Sequence, residues 1–194
     1  MLLASASQRP AAMIAKILMP IPAAPMANYA EPMSADRQIF AEDLAVGQTF
    51  AGRSHPIDEE QFQLFARLTE DDHPIHYDED FAAKTRFRKR VAHGLLLMSM
   101  TALGATEMSG RLRDAMVALT EQRCRFLKPV FMGNVVTSRF EVVAIHHRPS
   151  SDMALVHFRV QLFDTAGEMI LDGEHAYLLR WRGATRGADP NDAA

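Results

Sequence analysis

The sequence predicts an α+β domain in which an antiparallel sheet wraps around one long, central apolar helix. The first observation is a run of four strand-like segments, separated by turn signals rich in Pro, Gly and Asp, at 117–126, 135–146, 153–164 and 169–179. The second is a segment that begins at Leu95 and continues through Ala105 towards Gly110, apolar nearly all round. Such a helix is suited to burial and is too short to span a bilayer. Long consecutive strands together with one such helix are typical of a sheet that covers it.

A strand and an amphipathic helix are predicted ahead of this apolar segment. Turn residues lead into a strand near 48–55. Asp58 is a suitable N-cap for a helix over 59–68, in which aromatic and aliphatic residues recur at helical spacing. We therefore expect this helix to lay one apolar face on the core.

The segment from Asp71 to His76 is predicted to be a loop. Pro74 disfavours helical geometry at the residue before it, so the preceding helix should end earlier and the loop should be partly rigid. Asp78 then resembles an N-cap of a second, short helix, which runs into a basic stretch over 84–90. Loops held on a rigid scaffold are frequent places for chemistry.

The folded domain is expected to occupy residues 39–182. Residues 1–38 are rich in Ala, Met and Pro and carry no acidic side chain before Glu31. They are interpreted as a disordered extension or a misassigned start, with a targeting segment as the alternative. The Gly- and Ala-rich segment 183–194 is predicted to be a disordered tail.

Composition restricts the partners and the compartment. A formal charge of −3 and a pI near 6.2 provide no global attraction to nucleic acid or to an anionic membrane, so neither partner is expected. The single cysteine, Cys124, cannot form an intramolecular disulfide and lies within a predicted strand, which favours a structural role. The chain therefore suits a reducing compartment, and we expect it to be cytoplasmic.

Asp71, His76 and Gly94 form the candidate chemical constellation. A carboxylate and an imidazole separated by a short rigid segment can converge on one water molecule as an acid–base pair. Gly94 begins the apolar helix, and its unhindered backbone amide can stabilise negative charge that develops on a carbonyl oxygen. Adding water to an activated double bond requires both functions.

Four segments carry a resemblance to a known family. They are LTEDDHPIHYD from Leu68, RVAHGL from Arg90, FLKPVFMG from Phe126, and DGE from Asp172. Together they resemble the MaoC-like dehydratases and (R)-specific enoyl-CoA hydratases, whose hydratase motif is Asp-x-Asn-Pro-x-His. The resemblance covers about residues 40–180 and implies the hot-dog fold, an α+β architecture.

The resemblance assigns roles to the constellation. It implies that Asp71 and His76 hold the attacking water and that the amide of Gly94 polarises the thioester carbonyl. The implied reaction, which belongs to fatty acid metabolism, is reversible hydration of a trans-2-enoyl thioester to a 3-hydroxyacyl thioester with R configuration. Asp71 would take the water proton, while His76 would orient the water and deliver a proton to the α-carbon.

Three further residues are possible supporting members of the site. His73 stands where the family has asparagine, and we expect its ring to donate a hydrogen bond within the loop and to alter the pKa of Asp71 or His76, or the shape of the pocket entrance. His93 is expected to fix the turn before Gly94. Ser99 lies further along the apolar helix, where it would face the acyl pocket or serve packing.

The resemblance also implies the partners. The substrate is expected to be an acyl chain on coenzyme A, with an acyl-carrier protein as second choice, and the chain is expected to form a homodimer or a dimer of dimers. The basic stretch 84–90 is equally compatible with binding of the coenzyme A phosphates and with a solvated charged face. No metal or redox cofactor is expected, coenzyme A being part of the substrate.

Three alternatives remain at this stage. A hot-dog thioesterase would hydrolyse the thioester instead of hydrating the alkene, and fold alone does not separate the two. A non-catalytic subunit that binds acyl thioesters would keep the pocket without the chemistry. A metal site built from His73, His76, Asp71 and Asp78 is disfavoured, because Pro74 prevents a shared helical face.

Overall fold

The computed structural model describes residues 38–182, so the expectations for 1–37 and 183–194 lie outside the described residues. The described chain contains five strands: β1 Thr49–Pro56, β2 Met116–Phe126, β3 Val135–Arg148, β4 Met153–Asp164 and β5 Met169–Arg180. All five strands predicted from the sequence are present, with bounds that differ by a residue or two. Among residues 38–182, no helix is both long and apolar enough to cross a membrane.

The strands form a single antiparallel sheet in the order β1-β3-β4-β5-β2. Tight turns join β3 to β4 and β4 to β5, as the turn signals predict, with left-handed residues at Asp152 (φ 48°) and Gly167 (φ 77°). The longer return from β1 to β3 leaves room for the helical segments and for β2. As a result β1 and β2 form the two edges of the sheet.

The two helices whose N-caps were predicted, α1 and α3 in chain order, are confirmed. α1 spans Glu59–Thr69, and the carboxylate of Asp58 accepts hydrogen bonds from the first-turn amides, as an N-cap does. α3 spans Glu79–Ala83, and the carboxylate of Asp78 accepts from the backbone N–H of Phe81. Each cap satisfies amides that lack partners within the helix.

The predicted loop after α1 contains a helical turn. The short helix α2 spans Pro74–Tyr77. The prediction of a loop as far as His76 is therefore wrong for its last three residues, which are helical. Pro74 restricts the residue before it, yet it fits the first position of a helix, where a missing N–H has no consequence. The proline therefore starts this element in addition to ending the previous one.

The central apolar helix is shorter than expected. α4 spans Gly94–Ser99, and the chain continues through a turn of 3-10 helix at Leu103–Ala105 and a short helix, α5, at Met108–Arg111. The expectation of one continuous helix as far as Gly110 is wrong. The architecture itself, a sheet around a central apolar helix, is confirmed.

Hydroxyl side chains explain the early end of α4. The Oγ of Ser99 donates to the carbonyl O of Leu96 at 2.7 Å, and the Oγ1 of Thr101 donates to the carbonyl O of Met98 at 2.6 Å. Hydroxyls that bind nearby carbonyls compete with the backbone ladder and often bend or end a helix. An apolar pattern alone does not predict this competition.

The core of the domain lies between α4 and the concave face of the sheet. Apolar side chains from α1, α4, β3, β4 and β5 form one buried cluster, which includes Phe62, Phe65, Leu96, Leu97, Met100, Val136, Leu162 and Leu171. A second cluster, which includes Phe140, Phe158 and Leu179, fills the other end of the sheet. Packing of this kind holds the N-terminal end of α4 against the turn that follows α1.

Candidate active site

The two candidate catalytic side chains lie where the chain passes from α1 into α2. Glu70 ends α1 in the left-handed conformation (φ 59°), which turns the chain towards Asp71. Pro74 then begins α2, whose single turn carries His76. The end of α1 and the start of α2 therefore bring the side chains of Asp71 and His76 close together.

His73 caps α2 from the position that is asparagine in the family motif. Its Nδ1 accepts a hydrogen bond from the backbone N–H of Ile75 at 3.2 Å. The expectation that this imidazole donates is therefore wrong for Nδ1, which accepts from an amide that can only donate. The oxygen of an asparagine side chain would fill the same capping position.

His76 is half-buried and has a defined tautomer. Its Nδ1 lies 2.6 Å from the carbonyl O of Val91, and because a carbonyl only accepts, Nδ1 carries the hydrogen. Burial lowers the pKa of His76, and the charge of His73 acts in the same direction, against the effects of the Val91 carbonyl and of Asp71. The neutral ring therefore holds a free lone pair on Nε2, suited to accept a proton.

The ring of His93 packs against one face of the His76 ring. It is 2 % exposed, and its ring stacks on that of His76 with centroids 3.7 Å apart and planes 25° from parallel. Its Nε2 lies 2.8 Å from the hydroxyl of Tyr77, which donates to the carbonyl O of Phe62. Burial first, and then the neighbouring His76, lowers the pKa of His93 to about 4. His93 is therefore neutral at physiological pH and acts as a flat support.

A carboxylate oxygen of Asp71 and ring nitrogens of His76 and His93 all lie within 4.8 Å of one another. This spacing alone would also suit a bound cation. However, the nearly parallel stack directs the nitrogen lone pairs of the two rings side by side, whereas ligands of one ion must converge. The geometry fits an acid–base site better than a metal centre.

Gly94 and His76 line the same cavity. This cavity, of about 410 Å³, has mostly apolar walls, which include Leu97, Phe126 and Val130. As the first residue of α4, Gly94 has a backbone N–H without an acceptor inside the helix, and α4 has no side-chain cap. A Cβ at Gly94 would lie 3.0 Å from the ring of Phe126, so glycine keeps the approach to this amide open.

The basic stretch contributes one residue to the cavity mouth. Arg86 lines the cavity together with Lys128, which lies across from it after β2. Arg90 is 13 % exposed and ion-paired with Glu59 at 3.0 Å and Glu79 at 2.7 Å, which ties α1 to α3. Within the basic stretch, Arg90 therefore links two helices, whereas Arg86 places a positive charge beside the cavity.

The remaining predicted residues lie outside the cavity wall. Asp71 and His93 lie beside His76, with ligand atoms within 4.8 Å of one of its ring nitrogens, and the ring of His73 lies 6.2 Å from that of His76. The hydroxyl of Ser99 has a structural partner in Leu96, and Ser99 is not among the described residues that line the cavity. This arrangement favours its packing role.

Sequence reasoning missed three functional contributors. Tyr77 holds His93, the carbonyl of Val91 fixes the tautomer of His76, and Phe126 forms the wall opposite Gly94. Tyr77 and Val91 fall inside the quoted motifs, where their positions beside His76 and His93 were the available signal. The contact with Phe126 depends on tertiary packing and had no local signal.

A second depression, of about 430 Å³, lies on the outer face of the sheet. Its charges are paired: Arg123 contacts Glu174 at 2.8 Å, and Arg159 contacts Asp172 at 2.9 Å. These arginines lower the pKa of both carboxyl groups. The free cysteine of this depression, Cys124, has a pKa that burial raises, which disfavours the reactive thiolate, so the cavity beside His76 is the candidate active site.

Comparison with known proteins agrees with this geometry. The MaoC-like domain matches residues 42–159. An (R)-specific enoyl-CoA hydratase of Rhodospirillum rubrum is 31% identical over 153 residues, which cover 78% of this chain and all of that protein. A 3-hydroxybutyryl-CoA dehydratase of Methylorubrum extorquens is 32% identical over 138 residues, which cover 71% of this chain and 82% of that protein.

Solved structures give the same result. The (R)-hydratase of Aeromonas caviae involved in PHA biosynthesis has a TM-score of 0.59 at 30% identity, over 72% of this chain and 98% of that one. A Mycobacterium tuberculosis protein with a double hot-dog fold has a TM-score of 0.65 at 20% identity, over 77% of this chain and 46% of that one. The latter likeness concerns the fold alone, which is the hot dog.

Proposed function

This chain belongs to the MaoC-like dehydratase family and is a hydro-lyase, and from that premise we propose that it hydrates trans-2-enoyl-CoA reversibly to (R)-3-hydroxyacyl-CoA. The observation that carries the proposal is that a carboxylate oxygen of Asp71 and a ring nitrogen of His76 lie within 4.8 Å of each other, beside a cavity that His76 lines. The carbonyl of Val91 occupies Nδ1 of His76, which leaves Nε2 free. Both groups accept hydrogen bonds, so together they can hold both hydrogens of one water molecule. The oxygen lone pairs then point away from the pair.

Asp71 carries the proton from the water to the substrate. Asp71 takes one hydrogen as the water oxygen bonds to the β-carbon, and the same proton is returned to the α-carbon, so that the water O–H bond breaks while C–O and C–H bonds form. The second hydrogen stays on the water oxygen and donates a hydrogen bond to Nε2 of His76, which holds the oxygen in place. This division differs from the initial expectation, because a neutral ring with Nδ1–H bound to Val91 has no proton on Nε2 to deliver. Delivery from the side that binds water makes the addition syn.

Gly94 is assigned the stabilisation of negative charge on the thioester oxygen. Attack at the β-carbon moves negative charge to the thioester oxygen, and the backbone N–H of Gly94 can donate to it. The N–H lacks a helical acceptor and lies at the wall of the cavity that His76 lines. Apolar walls strengthen such a hydrogen bond, since they keep water from competing.

An assay with crotonyl-CoA tests the proposal. The expected product is (R)-3-hydroxybutyryl-CoA, followed by loss of the enoyl absorbance and by chiral analysis. Release of free thiol without the hydroxy product would indicate a thioesterase and overturn the proposal. Turnover should survive exhaustive dialysis against EDTA, because the proposed steps use only side chains and a backbone amide.

Coenzyme A is the proposed carrier of the acyl group. Arg86 and Lys128 line the cavity and are suited to the phosphates of coenzyme A, which would compete with Glu168 for the Lys128 ammonium, 2.6 Å from that carboxylate. Replacing both by alanine should raise KM for crotonyl-CoA and leave KM for the pantetheine thioester, which lacks the nucleotide, almost unchanged. An equal rise for both substrates would contradict this assignment.

We further propose that the chain forms a homodimer through β2. Within the described residues this strand pairs only with β5, and its free edge carries exposed apolar side chains at Val117, Leu119 and Phe126. A long apolar strand edge is a template for pairing with another strand. Leu119→Lys should therefore shift the mass measured by light scattering towards a monomer, whereas Leu68→Lys on the exposed face of α1 should not.

A further inference from the structure

His73 joins the two members of the proposed pair. Its backbone N–H donates to the Oδ1 of Asp71 at 3.4 Å, and its carbonyl O accepts from the backbone N–H of His76 at 3.0 Å. Its side chain caps the same turn through Ile75. The conformation of this one residue therefore sets the distance between the carboxylate and the catalytic ring.

The cap depends on the protonation of the ring. A backbone N–H can only donate, so Nδ1 of His73 binds Ile75 only while it holds a lone pair. A proton on Nδ1 would set a donor against a donor and break the cap. The family asparagine cannot undergo this change, since an amide oxygen remains an acceptor throughout the physiological pH range.

We propose that His73 is a positioning residue that aligns Asp71 and His76 only while its ring is unprotonated, so that one proton on His73 disarms the site. The proposal rests on the proposed function and deepens it, because it concerns the alignment of the same pair. It makes the acid side of the activity profile depend on a group that does not touch the substrate.

The surroundings of His73 reinforce the effect. Its ring lies 6.2 Å from the ring of His76 and 5.8 Å from the ring of Phe81, which is the contact from α3. A protonated ring would be attracted to the carboxylate of Asp71 and repelled by a proton on His76. Protonation would therefore break the cap and at the same time change the forces between His73 and the two members of the pair.

The test is the pH profile of kcat/KM on crotonyl-CoA for the wild type and His73→Asn. Below the optimum, the logarithm of kcat/KM should fall with a limiting slope one unit steeper in the wild type than in His73→Asn, because the variant lacks one inactivating proton. His147→Asn, which changes an exposed ring on β3, should keep the wild-type slope. Equal slopes in wild type and His73→Asn would overturn the proposal.

A second variant separates capping from titration. His73→Ala removes the cap at every pH, and kcat should fall by on the order of fivefold with KM little changed, since His73 does not line the cavity. His73→Asn should restore kcat at pH 8. Failure of asparagine to restore it, where alanine lowers it, would show that the cap is not the cause.

A measurement without substrate keeps the proposal testable if crotonyl-CoA is not turned over. In ¹⁵N-resolved NMR spectra the amide of Ile75 should shift as the ring of His73 titrates, and the shift should vanish in His73→Asn. An Ile75 amide that does not follow His73 would refute the cap as a proton-sensitive contact. Inactivity of the wild type alone would instead count against the proposed hydratase function.

Discussion

A buried histidine lies near each end of α4, and the two differ in their hydrogen bonds. His93 precedes the helix, and His175 lies beyond its C-terminal end on β5; they are 2 % and 3 % exposed. The ring nitrogens of His175 both have partners, the hydroxyl of Thr101 at 3.3 Å and that of Tyr177 at 3.4 Å. The buried Nδ1 of His93 has no partner in good hydrogen-bond geometry, although the nearby backbone of Asp71 acts to raise the pKa of this ring.

This difference indicates that His175 anchors the fold, whereas His93 belongs to the candidate active site. The hydroxyl of Thr101 also binds the carbonyl of Met98, and the hydroxyl of Tyr177 accepts from the backbone N–H of Leu103. The network around His175 therefore closes the end of α4 with its polar groups paired. His93 leaves a buried ring nitrogen without a well-formed hydrogen bond beside His76, a cost that is usually found at functional sites. Changes at the first end should affect activity, and changes at the second should affect stability.

The largest effect on activity is expected from substitutions of Asp71 and His76, the pair beside His93. Asp71→Asn removes the proposed base, and His76→Asn removes the Nε2 acceptor while its amide can still donate to Val91. Each should lower kcat on crotonyl-CoA by roughly 10²–10⁴-fold. Thermal unfolding should change little, because neither side chain belongs to the buried network at the other end.

Asp80→Asn serves as the matched control, since this carboxylate lies exposed in the first turn of α3. It should keep wild-type kcat. A large loss of melting temperature in Asp71→Asn or His76→Asn would contradict the separation of site from anchor, as would wild-type turnover in both.

Acid should destabilise the fold through both histidines. Burial lowers the pKa of His93 and of His175 to about 4, against an ordinary value near 6.5. Between these values the unfolded chain binds protons that the folded chain does not, so stability falls as pH decreases from about 6.5 to about 4. One pKa unit corresponds to about 1.4 kcal/mol, which makes the loss roughly 3 kcal/mol for each ring.

Urea denaturation at several pH values between 7 and 4 measures this loss. His175→Gln and His93→Gln should each reduce the dependence of the unfolding free energy on pH by about one proton. At pH 7.5 His93→Gln should also lower kcat, whereas His175→Gln should not. A pH dependence unchanged by either substitution would assign the acid sensitivity to other groups.

Local patterns predicted most of the fold. Asp58 and Asp78 preceded helices and are N-caps, and the turn signals at Asp152 and Gly167 divide the sheet into its strands. These features are determined by a few neighbouring residues, so a single sequence is sufficient to find them. The early end of α4 was missed because Thr101 competes for a carbonyl only once the helix has formed.

The site was predicted only in part, because only some of its residues are neighbours in the sequence. The motif containing Asp71 and His76 is local, and the structure brings a carboxylate oxygen and a ring nitrogen together. The stack of His93 under His76 and the contact of Gly94 with Phe126 join segments that are distant in the chain. Such contacts follow from packing around α4, which local sequence patterns do not specify.

A smaller effect on activity is expected at the first residue of α4. Gly94→Ala keeps the backbone N–H but places a methyl group against Phe126, whose ring is half exposed and can shift. The shift narrows the approach to the amide, and kcat/KM should fall by about tenfold, less than for full loss of an oxyanion donor. Stability should be unchanged or slightly higher, since alanine favours a helix.

Gly104→Ala is the matched control, because a Cβ there meets nothing within 4 Å. It should leave kcat/KM and the product unchanged. Equal losses in both glycine variants would point to a general effect on α4 and not to the approach to the Gly94 amide.

The smallest effect is expected at the anchor. Thr101→Val retains the shape of the side chain but removes the hydroxyl that binds both His175 and the carbonyl of Met98, so buried polar groups lose their partner. The unfolding free energy at pH 7.5 should fall by about 1–3 kcal/mol, with kcat nearly unchanged. Thr101→Ser should recover most of the loss. Thr137→Val, which breaks an exposed hydroxyl pair with Ser54, should cost less than about 1 kcal/mol.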